Sequence, residues 1–241
     1  MNAYQTIEWQ RRDGATELRL HTDGGPLRWN PIAHRELGDA LAEIARDRET
    51  KVLIVTGTGD EFCTRIDARA FAAVPQWETI WWEGKRIVKG LLELDVPVIG
   101  VVNGPALIHA EIPLLADVVL AADTTVLADK AHFIHGAVPG DGVHLIWPYL
   151  LGPRRGKYFL MTGEELDAAE ALRLGVVAEV HGREQLYERA WELARLWAAK
   201  PLPLLRYTRE ALNVLEREAL GGTGLSHGLA LEGVGLADGR S

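Results

Sequence analysis

An α/β fold is predicted by three features of this sequence. Three apolar runs, residues 51–57 (KVLIVTG), 96–102 and 118–121, are too continuous for half-exposed strands and read as strands buried on both faces. Segments of helical period separate them. Long amphipathic helices then collect towards the C-terminus, the pattern of a sheet covered by helices.

The elements follow in order. Residues 6–22 alternate about Asp13–Gly14, which reads as a β-hairpin with a tight turn. Asn30–Pro31 reads as a helix start, because a proline at the first helical position gives up an N–H that has no helical partner anyway. Ala33, Leu37, Leu41 and Ile44 form that helix's apolar stripe. Residues 77–92 form the next helix, with Ile80, Gly84, Ile87 and Leu91 on one side. Asp167 to Glu170 has capping-box spacing, and Gly175 marks that helix's end. Residues 176–180 read as a short strand, and 183–199 and 202–218 as the last two long helices. The tail from Gly221 is rich in glycine and reads as a weak helix, ordered only against a neighbour. No short-period repeat is evident; a loose strand–strand–helix recurrence runs from about residue 6 to residue 130.

Composition narrows the partners. The 241 residues fit one large domain, or one domain with an appendage. A net charge of -8 argues against nucleic acid held through phosphates. The basic cluster Arg154, Arg155 and Lys157 reads as a solvated helix start. Cys63 is the only cysteine, so no disulfide forms within the chain and no cysteine zinc pattern exists. The apolar window 94–122 is broken by Asp95, Pro97, Asn103, His109, Glu111 and Asp117, so it reads as core and not as a membrane span. The N-terminus lacks a signal-peptide run, and the cytoplasm is the expected compartment.

The candidate chemistry lies in 101-VVNGPALIHAEIPLLADVVLAA-122 and 131-AHFIHGAVPGD-141. This reads as strand, turn, helix, strand, with His109, His132 and Asp141 in and after the turn. Two histidines and a carboxylate among apolar neighbours are suited to activating water against a carbonyl. Plainer readings exist for each. His132 beside a strand is often a structural hydrogen-bonder, Asp141 in PGDG suits a helix cap, and Trp29 before Asn30–Pro31 suits a hydrophobic staple. His135 and His144 read as supporting or surface groups, and His21, His34, His181 and His227 as surface residues. No HxH or HExxH pair is present, so no metal is expected. The glycines of 56-TGTGDEF-62 precede no Lys-Ser/Thr and do not form a P-loop.

Together 56-TGTGDEFCTRID-67, 101–122 and 136-GAVPGDG-142 resemble the crotonase, or enoyl-CoA hydratase/isomerase, superfamily, over residues 6 to about 215. The resemblance implies a spiral core over 1–182 and C-terminal helices over 183–241 that pack trimers, often paired into hexamers. The departures matter. Where the superfamily has a triple-glycine turn, this chain has Ile108–His109–Ala110. Where hydratases carry two glutamates, it has Ile112 and Ile134. The pattern is more similar to β-diketone hydrolases of the 6-oxocamphor hydrolase type, through Trp29, His109, His132 and Asp141. That branch implies retro-Claisen cleavage of a cyclic 1,3-diketone to a keto acid, without coenzyme A, other cofactor or metal. His132 and Asp141 would activate water, and His109 and Trp29 would hold a carbonyl oxygen. Ile108, Ile112 and Ile134 would make the pocket apolar. The branch's C-terminal His-Glu pair reads His227–Gly228 here, and Glu232 one turn on is a possible substitute. Two other readings remain open: an enzyme acting on CoA thioesters, and a crotonase scaffold that binds without catalysis.

Overall fold

The computed structural model describes residues 3–74 and 76–239; Met1, Asn2, Pro75, Arg240 and Ser241 lie outside it. Strands β1 (Ile7–Arg12) and β2 (Ala15–Leu20) form the expected hairpin, with Asp13 and Gly14 both at positive φ. After β3 (Leu27–Trp29), the Asn30 side chain accepts from the Ile32 and Ala33 N–H groups at 2.9 and 3.1 Å and starts α1 (Pro31–Arg46). There follow β4 (Val52–Gly57), β5 (Cys63–Ile66), the short α2 (Ala68–Ala72) and α3 (Trp77–Leu92). Then come β6 (Val98–Val102), α4 (Glu111–Leu114), β7 (Val118–Ala122) and β8 (Val126–Leu127). A 3-10 turn at Phe133–His135 leads to α5 (Val143–Leu151) and α6 (Pro153–Thr162). The rest is β9 (Leu166–Asp167), α7 (Ala168–Arg173), β10 (Glu179–His181), α8 (Arg183–Ala198), α9 (Leu202–Leu212), α10 (Val214–Leu220) and α11 (Thr223–Asp238).

The main sheet has the order β1-β2-β4-β6-β7-β10 and is parallel beyond the first hairpin. Every residue of β4 and β6 is buried, as expected of strands covered on both faces. One face packs on α1, α3 and the loops that carry the candidate site, through Leu18, Leu37, Leu53 and Leu91. The other packs on α8 through Ile54, Ile99, Leu120 and Ala194. Two short pairs, β3 with β5 and β8 with β9, complete the α/β crotonase architecture.

Three expectations need correction. The strand expected over 176–180 is Glu179–His181. Val176 and Val177 instead fold back over Gly175, their N–H groups bonding Ala171 O, and bury their side chains in the core. The helix expected over 202–218 breaks at Asn213, whose side chain turns to Asp117 at 2.5 Å. Trp191 and Leu205 of the C-terminal helices are buried within the chain, with the Arg12 guanidinium over the Trp191 ring.

The tail is the third. It forms a 16-residue helix, α11, ordered against α3 of the same chain. The Trp77 and Trp81 indoles donate to Leu229 O (3.0 Å) and Ser226 O (3.2 Å). Its glycines weaken helix propensity, but a Cβ on Gly233 would collide with the Trp77 ring, so the glycine is what lets the helices touch. Gly140 and Gly228 meet likewise, and a methyl group on either would overlap the other's carbonyl. This contact seats the loop before α5 against α11.

Candidate active site

Local sequence positions each group of the site. Cys63 O accepts from Leu107 N (2.8 Å) and Ile108 N (3.1 Å), fixing the turn that presents His109. Where the superfamily has glycine, His109 takes φ +51, a left-handed conformation uncommon for a side-chain-bearing residue. Its ring lies 4.2 Å, centroid to centroid, from the ring of Trp29, which is 2% exposed. His109 Nδ1 is 2.6 Å from Glu111 Oε1 and 3.4 Å from Asp141 Oδ2.

His132 lies opposite, at the start of the 3-10 turn. Its Nδ1 is 2.8 Å from Asp129 Oδ1; its Nε2 is 3.4 Å from Asp141 Oδ2 and 3.9 Å from Glu232 Oε1. Asp141 thus stands between the two histidines. Its Oδ1 also accepts from Val143 N, at 3.5 Å, although Gly142 is the cap residue of α5. The Asp129 carboxylate therefore occupies one imidazole nitrogen of His132, and Asp141 meets the other.

Electrostatics bind these groups together. Burial disfavours the cationic form of His132, but Asp141 and Asp129 outweigh it and hold its pKa well above the ordinary value. His109 is raised against the same burial penalty by Glu111 and then Asp141. Burial pushes Asp141 up, and the charge of His132 more than reverses this, leaving it depressed. Glu232 is pushed up to about 8 by burial and by the nearby Asp141 charge. It is thus a carboxylic acid that holds its proton near neutrality.

The four predicted residues, Trp29, His109, His132 and Asp141, line one cavity of about 180 Å³ together with Glu232. Its apolar wall differs from expectation. Ile134 is 41% exposed and packs over Gly163, and Ile108 is in the core; the wall comes from Phe71, Trp77, Ile80 and Leu229. Among the described residues no Lys or Arg lines it. His34, assigned to the surface, is buried in the wall, with Nδ1 2.9 Å from the buried Glu83 and its ring edge-on to Trp29. Burial lowers its pKa, so it is neutral. His144 is on α5 with Nε2 3.1 Å from Gly224 O, and His135 is exposed.

Sequence reasoning missed Glu111, Asp129 and the His34–Glu83 pair. The signals were there. Asp129 is three residues before His132, and Glu111 two after His109. His34 shares the stripe of Leu37 and Leu41, and Glu83 that of Ile80 and Ile87, so both polar side chains were bound for the interior. Metal-motif spacing likewise found nothing. Yet the fold gathers two groups of possible ligand atoms within 4.8 Å of one another: His109 with Glu111 and Asp141, and His132 with Asp141 and Glu232.

Residues 30–221 match the family model described as enoyl-CoA hydratase/isomerase, and the chain belongs to this family, in the crotonase superfamily. Within it, the chain is similar to ABDH, a β-diketone hydrolase from the cyanobacterium Anabaena sp. PCC 7120, solved bound to (S)-3-oxocyclohexyl acetic acid. Identity is 43%, the match covers 99% of this chain and 96% of that one, and the TM-score is 0.95. A carnitinyl-CoA dehydratase of Citrobacter koseri is 36% identical over 171 residues, 66% of this chain and 62% of that protein. Human enoyl-CoA delta isomerase 2 is 26% identical over 98% of this chain and 61% of its own length. The chain thus spans less than two thirds of these curated relatives. An enoyl-CoA hydratase from Mycobacterium avium subsp. paratuberculosis K-10, 24% identical with TM-score 0.87, shares the fold. Among the described residues no helix is long and apolar enough to cross a membrane.

Proposed function

We propose that this chain is a β-diketone hydrolase that opens a cyclic 1,3-diketone by retro-Claisen cleavage. The observation that carries this is the near-full-length similarity to ABDH, joined to a cavity in which His132 Nε2 faces Asp141. The keto acid bound in ABDH is the skeleton left when water opens a bicyclic 1,3-diketone, and an alicyclic ring suits the apolar wall here.

In this reading Asp129 accepts from the His132 Nδ1–H and fixes the tautomer. Neutral His132 takes a proton from water at Nε2, and the hydroxide adds to one carbonyl carbon. His109, held by Glu111 at Nδ1, donates from its other nitrogen to the oxyanion, with Trp29 as the second group on that oxygen. Such a donor is worth about 3–4 kcal/mol in the transition state. The C–C bond to the central carbon then breaks. Its electron pair spreads onto the second ketone as an enolate, and the proton returns to that carbon. Asp141 stabilises both imidazolium groups, and protonated Glu232 is a second acid beside the reacting atoms. This sequence draws on no cofactor.

The exposed Leu196, Leu204, Leu212 and Leu215 of the C-terminal helices support a homotrimer or a dimer of trimers. The cytoplasm suits it, since Cys63 is free and buried.

The test is hydrolysis of bicyclo[2.2.2]octane-2,6-dione in ¹⁸O-water, followed by mass spectrometry and NMR beside a crotonyl-CoA reaction. One ¹⁸O in the product carboxylate is expected, with crotonyl-CoA unchanged. Hydration of crotonyl-CoA without diketone cleavage would transfer the chain to the CoA-thioester reading.

A further inference from the structure

One imidazole and two carboxylates converge on a single point of the cavity wall. His132 Nε2 is 3.4 Å from Asp141 Oδ2 and 3.9 Å from Glu232 Oε1, and the three atoms lie within 4.8 Å of one another. Ligand atoms at about 2.0–2.2 Å from a tetrahedral ion stand roughly 3.3–3.6 Å apart; the His132–Asp141 pair stands at that spacing and Glu232 Oε1 somewhat beyond it. Asp129, 2.8 Å from Nδ1, holds the imidazole as a buried carboxylate holds a metal-bound histidine. Glu232 is 9% exposed, lines the cavity, and its Oε2 has no hydrogen-bond partner among the described residues. The neighbouring trio offers no second site. His109 Nδ1 and Glu111 Oε1 are 2.6 Å apart, already hydrogen-bonded with no room for an ion.

We propose that His132 Nε2, Asp141 and Glu232 form a site for one divalent transition-metal ion, of the class of Zn²⁺, and that filling it inhibits the protein. One nitrogen and two oxygens in a closed geometry suit Zn²⁺ or Co²⁺ better than Ca²⁺ or Mg²⁺, which ask for more oxygen ligands or for retained waters. The ion takes the lone pair of the nitrogen that accepts the proton from water. Inhibition rests on the proposed hydrolase reading; binding does not.

The experiment is a Co²⁺ titration of the chelator-treated full-length protein, read by visible absorption, with Zn²⁺ competition and parallel diketone assays. A d–d band that saturates at one equivalent, is displaced by Zn²⁺ and accompanies loss of turnover at the same midpoint is expected. Glu232→Gln, with its fold checked by thermal unfolding, should weaken binding at least 100-fold. Asp129→Asn should weaken it about 10–100-fold. A variant lacking the exposed His135 and His227 should keep the band. The absence of a band at millimolar Co²⁺ in the wild-type protein overturns the site, whatever the variants do. So does a band that survives Glu232→Gln. Turnover that rises with Zn²⁺ overturns the inhibitory role. If no preparation cleaves diketones, the hydrolase reading falls while the Co²⁺ titration still decides the site.

Discussion

Asp129 Oδ1 lies 2.8 Å from His132 Nδ1, on the ring nitrogen opposite the one that meets Asp141. The imidazole is thus held between two carboxylates of different duty, one fixing its tautomer and one facing the cavity. His132→Ala should lower kcat by several orders of magnitude. Asp129→Asn should cost about 100-fold or more in kcat with KM little changed, because it reverses the hydrogen-bond demand on Nδ1. Steady-state kinetics on folded variants checks this, and near wild-type turnover in Asp129→Asn would remove the orienting role.

Glu232→Gln should reduce kcat by tenfold or more, within the roughly 10²–10⁴ range of general acid–base groups. The glycine-rich tail reads as a weak helix, but α11 is anchored by Trp77 and Trp81 and buries Glu232 beside His132. Gly228→Glu should not raise the rate. Its side chain would enter the His144 ring and the Gly140 carbonyl, so a lower melting temperature is expected.

Stability should fall as pH rises from about 4.5 to 8. Glu232 ionises near 8 when folded, but near its ordinary value of 4.5 when unfolded. Between those values the folded state binds more protons, so a higher pH favours unfolding. His132, raised above 6.5, adds to the same slope over its own window. Asp141, depressed, works the other way: its contribution is present above 3.8 and lost as pH falls further. Melting curves of Glu232→Gln should be flatter over pH 5–8, and an unchanged slope would count against the raised pKa. If neutral His132 is the base, as proposed, kcat should climb with pH above 6.5.

Arg209→Ala should destabilise the fold by about 3–5 kcal/mol in urea unfolding. The Arg209 guanidinium is 1% exposed; it pairs with Asp117 at 2.8 Å and donates to the carbonyls of Leu91 and Leu92 at the end of α3 and of Leu94 just beyond it. Removing it strands those acceptors. A loss under 1 kcal/mol would show that water replaces it freely.

Leu212→Glu with Leu215→Glu should shift the mass in light scattering towards the monomer while leaving the circular dichroism unchanged. These side chains are 76% and 70% exposed in the single chain. An unaltered mass would locate any subunit contact elsewhere.

The strands and the first helices were legible because their apolar periods are set by burial on the sheet, as at Val52 to Val55 and Leu37 to Leu41. Trp29, His109, His132 and Asp141 were legible through family resemblance, and they do share one cavity. Less visible was what long-range packing decides. Propensity argued against α11, yet contact with α3 makes its glycines an asset. Asn213 reads as an ordinary helical residue until Asp117, distant in sequence, draws its side chain away. The partners of Asp129 and Glu83 were not legible, because burial of a polar group depends on a partner that one sequence does not pair.

The mutual approach of Gly140 and Gly228 also sets the order in which competence is acquired. The loop that carries Asp141 is seated by a helix from the far end of the chain, so translation must pass α11 before the cavity has its last wall. A nascent chain halted before that helix already contains both histidines, but it lacks Glu232 and the support that holds Asp141 between them. Contacts this distant in sequence form late, because the loops they close are long. Copies truncated before α11 should therefore lack turnover in the diketone assay.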